Sequence, residues 1–255
     1  DEEPLDVLLA MGLQPVLYGV TEHYGVDQTP WAKDAGLDGL ATFDNVEWAP
    51  DVERVAAAEP DLVFDSWTEP DVYSQLSGIA PTVVLRADEG FTWEDVQRLA
   101  GEALGMEDAA EQPIAATHAL YPQQAARLAS YAGRKVTIAY RFQDELLING
   151  GESPIGRIVT KLGLEVVAPD PALITSLSLE QWQQVSGADI LLSPLFFEED
   201  LAAQEADPLF RGLPAVQAGR DVALPVEVSR AGDIETALSV RWLIPRLAGA
   251  LIAAA

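Results

Sequence analysis

The chain has 255 residues, and 41 acidic against 15 basic residues give it a net charge of −26 at pH 7. A charge of this sign repels nucleic acid and anionic lipid surfaces and attracts cations, so a nucleic-acid partner is not expected. The alternative explanation of this charge is that it only keeps the protein soluble. Hydrophobic residues make up 49% and charged residues 22%, which is typical of a folded chain with a sizeable core and argues against disorder.

The composition also limits the chemistry. There is no cysteine, which excludes disulfides and thiolate catalysis, and the two histidines, His23 and His118, lie far apart, so a histidine-rich metal site is not expected. No signal peptide or run of eighteen apolar residues is found, and we interpret the tail "LAGALIAAA" as the end of a packed helix. Because Asp1 directly precedes the helical run "LDVLLAMGL", we expect a mature or trimmed form.

The first half alternates short apolar strands with helices, which favours a layered α/β architecture. The pattern predicts helices over "PDVERVAAAEP" and "WEDVQRLAGEALG". It predicts strands at Pro15–Val20, Asp61–Phe64 and Pro81–Leu85.

The next segment has abundant alanine and almost no strand character, and Gly133 can stop a helix. We predict one long connecting helix or two short ones over residues 106–133, with a kink at Pro113 and Pro122 because an interior proline removes a helical hydrogen bond. The chain then divides into an amino-terminal lobe of residues 1–105, this connector, and a carboxyl-terminal lobe of residues 134–255.

In the second half, Ser153 can cap a helix whose first turn contains Pro154 and which stops at Gly163. We predict helices at Pro154–Leu162, Leu179–Val185 and Glu235–Ala253. We predict strands at Val136–Tyr140, Glu145–Ile148, Glu165–Val167, Asp189–Ser193 and Asp221–Pro225.

Arginines and aromatic residues recur after the predicted strands, where open α/β sheets bind ligands. Guanidinium groups and aromatic walls suit a bulky ligand with oxygen acceptors. The alternative for each arginine is a surface ion pair, and we interpret Trp48, Trp93, Trp182 and Trp242 as packing residues. The candidate ligand-binding residues are Arg141, Arg86, Arg230, Trp67, Tyr24, Phe196 and Phe197.

No catalytic residue is predicted. The phrase "GESPIG" has the wrong spacing for a nucleophile elbow, and both histidines precede its serine. Phosphate loops, dinucleotide fingerprints and zinc-ligand spacings are also missing from the sequence.

Five phrases in order resemble the substrate-binding proteins of bacterial iron-siderophore and cobalamin ABC importers. They are "PDVERVAAAEPDLVF", "YSQLSGIAPTVVL", "ESPIGRIVTKLGLEVV", "SLEQWQQVSGADILL" and "DPLFRGLPAVQAGRDVAL", and the likeness extends from about Leu5 to Leu247.

The resemblance implies two α/β lobes joined by a long helix, with the ligand in the cleft between them, in a monomer that is not an enzyme. It implies a location in the periplasm or on a lipid anchor at the cell surface. The family normally has a strand before the helix matching "LDVLLAMG", so we expect the first strand of the amino-terminal lobe to be missing. Glu53 and Glu180 match the glutamates that dock on the importer permease; their alternative is an ordinary solvated helix charge.

The phrase "YRFQDELLINGGES" is most similar to members that take up ferric hydroxamates, in which the arginine matching Arg141 reaches the iron-bound oxygens. The iron arrives inside its chelator, so the resemblance implies neither a protein metal ligand nor another cofactor. With three lysines and the charge of −26, a neutral or cationic ferric siderophore is favoured over a catecholate. Haem, for which His23, Tyr24 or another tyrosine could be axial, and cobalamin remain alternatives, as does an α/β hydrolase.

Overall fold

The computed structural model describes residues 2–21, 29–37, 39–45, 49–66, 69–86, 91–171 and 174–253. The chain divides into two compact units. The first unit consists of Asp1–His118 and Ile234–Arg241, and the second unit of Ala119–Asp233 and Trp242–Ala255.

The elements alternate as an α/β protein requires. The helices are α1 (Glu2–Ala10), α2 (Pro30–Asp34), α3 (Val52–Ala57), α4 (Pro70–Ser77), α5 (Trp93–Leu104), α6 (Glu107–His118), α7 (Leu120–Arg127), α8 (Pro154–Lys161), α9 (Glu198–Ala206), α10 (Pro208–Arg211), α11 (Pro214–Gln217), α12 (Val226–Ile234) and α13 (Ala237–Ala253). The strands are β1 (Tyr18–Thr21), β2 (Thr42–Asn45), β3 (Val63–Asp65), β4 (Thr82–Val84), β5 (Lys135–Phe142), β6 (Glu145–Asn149), β7 (Glu165–Val166), β8 (Ile174–Ser178), β9 (Ile190–Pro194) and β10 (Asp221–Leu224). None of the described helices combines the length and the apolar content that a bilayer crossing requires.

In the first unit, β1 pairs with β2 and β3 with β4, both in parallel, and the described residues form these as two separate two-stranded sheets. Helices cover them through two clusters of buried apolar side chains. One cluster joins Val7 of α1 to Leu85 and Val96, and the other joins Phe43, Val55 and Leu76.

The second unit is built on a mixed six-stranded sheet in the order β10-β9-β5-β6-β8, with β7 also pairing with β5. Strands β5 and β6 form an antiparallel hairpin in which Arg141 lies opposite Leu146. The core on one side contains Trp182, which is 0% exposed, against Phe210 at 5.2 Å between ring centroids. This hairpin carries much of the candidate site described below.

Helix α8 begins as predicted. The Ser153 hydroxyl accepts the amide proton of Gly156 at 3.1 Å and donates to the Gly150 carbonyl at 2.7 Å, with Pro154 in the first turn. A Cβ on Gly156 would lie 2.1 Å from the Gly150 carbonyl oxygen, so this close turn requires glycine. The helix ends before Gly163, which has φ of 92°.

The connector of residues 106–133 contains α6, α7 and a 3-10 turn at Ala129–Tyr131. Pro113 lies inside α6 and Pro122 inside α7, so neither proline coincides with the boundary at Ala119.

Some predicted elements need correction. The strand before Arg230 ends at Leu224, and Arg230 lies inside α12 rather than at a strand end. The predicted helix Leu179–Val185 is 3-10 with a non-helical Gln181. Strands β2 and β8 were not predicted, because their sequences "TFDN" and "ITSLS" carry too few apolar residues to signal burial.

Candidate ligand-binding site

Arg141 lies one residue before the end of β5 and turns its guanidinium toward the hairpin turn. Its Nε donates to the Gln143 carbonyl at 2.7 Å, and its Nη2 lies 3.5 Å from Oδ1 of the exposed Asp144. Gln143 has a φ of 55°, a left-handed conformation that costs free energy in a residue other than glycine. The guanidinium therefore helps to fix this turn, and 22% of the Arg141 side chain stays accessible.

Helix α9 braces the same strand end from the side. The Arg141 amide donates to Gln204 Oε1 at 2.8 Å, and the Gln143 amide donates to Asp200 Oδ1 at 3.2 Å. Gln204 is 1% exposed and donates through Nε2 to the Ser193 hydroxyl at 3.1 Å. Sequence reasoning missed Gln204 and Asp200, because a helix residue that bonds a distant strand edge leaves no local signal.

Phe196 and Phe197, both predicted, form an aromatic wall with Tyr140 and Phe142. The Phe196 ring centroid lies 5.5 Å from that of Tyr140 and 6.4 Å from that of Phe142, and the Phe142 and Phe197 rings are 5.7 Å apart. Phe197 is 43% exposed. Because side chains alternate along a strand, Arg141 leaves β5 on the face opposite to Tyr140 and Phe142. The structure thus places the predicted residues Phe196 and Phe197 in one aromatic wall, but Arg141 lies on the other face of β5.

A small pocket of about 40 Å³ lies beside the aromatic wall, within the second unit. Tyr140 and Phe196 contribute aromatic surface, and Asn149, Ser229 and Asp233 contribute polar atoms. Burial raises the pKa of Tyr140 to about 12, while its hydrogen bond to Asn149 opposes the rise. The phenol therefore stays protonated at neutral pH.

Arg230 lies near this pocket, one helical turn before Asp233, and is 6% exposed. Low-dielectric surroundings raise the pKa of the Asp233 carboxyl, and the positive charge of Arg230 opposes the rise.

Arg86 belongs to the first unit and holds a buried carboxylate. Its Nε lies 2.7 Å and its Nη2 2.5 Å from Oε1 of Glu3, whose side chain is 9% exposed. The ion pair thus ties the second residue after β4 to helix α1.

Of the remaining predicted ligand residues, Tyr24 and Trp67 lie outside the described residues, as do His23 and Trp48. Trp93 is 3% exposed and Trp182 is 0% exposed, as expected of packing residues. Trp242 is half-buried, with the Arg246 guanidinium 3.7 Å from the ring centroid.

Glu53 and Glu180 are both exposed and occupy equivalent local positions. Glu53 is in the first turn of α3, and Glu180 is in the first turn of the 3-10 segment Leu179–Val185. A carboxylate is favoured at such a position by the exposed amides of the helix start.

A cavity of about 760 Å³ lies within the first unit and is lined mostly by apolar side chains, including Leu5, Leu8, Val55 and Leu76. Gly19 of β1 and Phe64 of β3 also line it. The backbone amide of Tyr18 donates toward β2, and that of Val63 donates toward β4. Because backbone groups alternate in direction along a strand, those of Gly19 and Phe64 point to the other edge of β1 and of β3, away from β2 and β4. The predicted site residues that the structure describes do not line this cavity.

In the part of the chain that the structure describes, no group of three or more histidine, aspartate or glutamate side chains could hold a metal ion.

The sequence model of a family described as periplasmic binding protein matches residues 1–227. The Fe(3+)-citrate-binding protein YfmC of Bacillus subtilis (strain 168) is 23% identical over 219 residues, which cover 85% of this chain and 68% of that protein. A periplasmic solute binding protein from Mycobacterium smegmatis superposes with a TM-score of 0.82 at 26% identity, over 98% of this chain and 89% of that one. The Fe3+-Desferal-bound siderophore binding protein FhuD from Vibrio cholerae superposes with a TM-score of 0.79 at 24% identity, over 99% of this chain and 96% of that one.

Proposed function

Because the chain belongs to the periplasmic binding protein family, we propose that it captures a ferric siderophore outside the cytoplasm and delivers it to an ABC importer. The family match over residues 1–227 is the observation that carries the proposal. The likeness to a ferric-citrate-binding and a Desferal-binding protein supports an iron chelate as the ligand. The protein acts as a monomer and as a binding protein rather than an enzyme.

The favoured ligand is a hydroxamate or mixed-type siderophore. Desferal is itself a hydroxamate chelator, and the net charge of −26 disfavours an anionic catecholate complex. Iron stays wrapped in its chelator, so the protein needs no metal ligand of its own. The protein instead recognises the apolar and polar outer surface of the complex.

The aromatic wall supports this ligand, because the exposed ring of Phe197 and the partly exposed rings of Phe142 and Phe196 can pack against the chelator backbone. The fourth ring of the wall, Tyr140, is buried. Arg141 donates to the iron-bound oxygens, which requires its guanidinium to reach past the turn that it now fixes. The remaining proposed ligand residues are Arg86, Arg230, Tyr24 and Trp67.

We also propose the family's architecture: two lobes joined by the connector of residues 106–133, with the ligand in the cleft between lobes. The cavity of the first unit supports the expectation that its sheet has one more strand than the described residues contain. Apolar side chains and two open parallel strand edges suit a strand better than a polar iron complex. Glu53 and Glu180 dock on basic residues of the permease, where exposed charges fix register.

Intrinsic tryptophan fluorescence tests the ligand, because the chain has six tryptophans and iron complexes quench indoles. The titrants are ferrioxamine, ferrichrome and ferric enterobactin, with haem and cobalamin as controls, an inner-filter correction and an unrelated acidic protein in parallel. We expect saturable quenching by a hydroxamate at submicromolar concentration. No saturable response to any siderophore would contradict the proposal, and a Soret shift on adding haem would favour the haem alternative.

A further inference from the structure

The small pocket beside the aromatic wall has a lining unlike that of the rest of the wall. It combines the aromatic surfaces of Tyr140 and Phe196 with the side chain of Asn149, the hydroxyl of Ser229 and the carboxylate of Asp233. Of the described residues that line it, Asp233 alone carries a formal charge. Carboxylate and amide oxygens next to aromatic faces are the groups that bind an organic cation.

The size of the pocket limits what can enter. A pocket needs about 10–15 Å³ of probe-filled volume for one water molecule. The pocket volume of about 40 Å³ therefore accepts a group of two or three heavy atoms. An aromatic ring or an iron-hydroxamate centre is too large, whereas the end of an alkylammonium chain fits.

Some polar groups of the pocket already form hydrogen bonds within the protein, and these bonds fix the orientation of the groups. Ser229 Oγ accepts the Leu195 amide proton at 2.7 Å, and Tyr140 hydrogen-bonds to Asn149. The Asp233 carboxylate stands at the exposed rim of the pocket and can receive a cation that arrives from solvent.

We propose that this pocket is a subsite for a primary alkylammonium group, and that Asp233 selects siderophores that carry one. The inference rests on the proposed function, since it names a feature of the same ligand. The ammonium end of the chelator enters the pocket beside the Tyr140 and Phe196 rings and pairs with Asp233, while the iron-bearing part stays outside against Phe197. Arg230, on the same helix, also interacts electrostatically with the Asp233 carboxylate and offsets part of its charge. The preference for a cationic ligand is therefore modest.

A cycle of two ligands and two proteins tests the inference. Ferrioxamine B has a free terminal ammonium, and its N-acetyl derivative carries the same hydroxamate core without that charge. Dissociation constants are measured by fluorescence quenching for the wild type and Asp233→Asn, at low and at high salt. Glu227→Gln is the matched control, because Glu227 is an exposed acid on the same helix that does not line the pocket.

We expect Asp233→Asn to weaken ferrioxamine B about five- to tenfold more than its N-acetyl derivative, with the difference shrinking as salt screens the pair. Glu227→Gln should change neither constant by more than about twofold. Equal weakening of both ligands, or no weakening of either, would overturn the subsite while leaving siderophore binding in place. A wild type that binds neither ligand would overturn the proposed function, and the subsite with it.

Discussion

Thr236 donates its hydroxyl to Oδ2 of Asp6 at 2.7 Å, across 230 positions of the chain. The indole N–H of Trp31 donates to the same oxygen at 2.6 Å, so one carboxyl of the first unit joins α1, α2 and the residue before α13. Asp6 is 1% exposed, and its Oδ1 has no hydrogen-bond partner among the described residues. Burial raises the pKa of Asp6 to about 7; the two hydrogen bonds oppose the rise, and the charges of Glu2 and Glu3 add to it.

This carboxyl should make the stability of the protein depend on pH. Because the pKa rises from 3.8 when unfolded to about 7 when folded, the folded state binds the proton more tightly. The stability it contributes is present below about pH 4 and is lost as the pH rises through about 7. Asp6→Asn keeps an acceptor oxygen for Trp31 and Thr236 but cannot ionise. We expect the variant to be more stable than the wild type at about pH 8, by roughly 2–4 kcal/mol, and the two to converge near pH 4.

Thermal and urea unfolding at a series of pH values measure this difference. Asp34→Asn, which removes an exposed carboxyl of α2, is the control and should follow the wild-type curve. A constant gap between Asp6→Asn and the wild type at every pH would show that Asp6 does not titrate in this range.

The ion pair between Arg86 and Glu3 gives a second prediction for the first unit. Arg86→Met keeps much of the side-chain volume but leaves the Glu3 carboxylate, 9% exposed, without its cation. We expect a loss of about 1–3 kcal/mol in urea unfolding, because removing one partner of a largely buried pair leaves an uncompensated charge. Adding Glu3→Gln to Arg86→Met should restore part of the loss. Equal stabilities of Arg86→Met and the wild type would mean that the pair contributes nothing.

The elements predicted well from the sequence are those with strong local signals. Helix α8 has a capping serine, a proline in its first turn and a terminal glycine, and each acts within a few residues. Strand β5 is a run of buried apolar residues, and the sequence located it to within two residues at each end. Both depend little on the rest of the fold.

The candidate site was harder to predict because it depends on distant contacts and on strand ends. The prediction ended β5 at Tyr140, so Phe142 fell outside the strand and its shared face with Tyr140 went unrecognised. Arg230 was assigned to a strand end because the helix α12 that contains it has no apolar periodicity strong enough to be noticed. Gln204 bonds a strand 63 positions away, which no local pattern can reveal.

Substitution of Arg141 tests the proposal that its guanidinium donates to the iron-bound oxygens. Arg141→Ala should weaken hydroxamate binding by roughly 1.5–3 kcal/mol, the range for a hydrogen bond to a charged group. Arg141→Lys should recover only part of this, since lysine lacks the planar fork of the guanidinium. Titration calorimetry gives the affinities, and Arg134→Ala, which removes a cation from above the Tyr131 ring in the same unit, is the control. Unchanged affinity in Arg141→Ala would remove Arg141 from the site and leave it as a residue that fixes the hairpin turn.

Glu53 and Glu180 test delivery separately from capture. Because both are exposed and the described site residues lie elsewhere, Glu53→Ala and Glu180→Ala should leave siderophore affinity unchanged but lower uptake through a reconstituted importer. Charge reversal to lysine should lower uptake further, since like charges repel across a docking interface. Glu102→Ala and Glu205→Ala remove exposed carboxylates from α5 and α9 and serve as controls for the change in net charge. If all four alanine variants support the same uptake, Glu53 and Glu180 are ordinary surface charges and the permease contacts other residues.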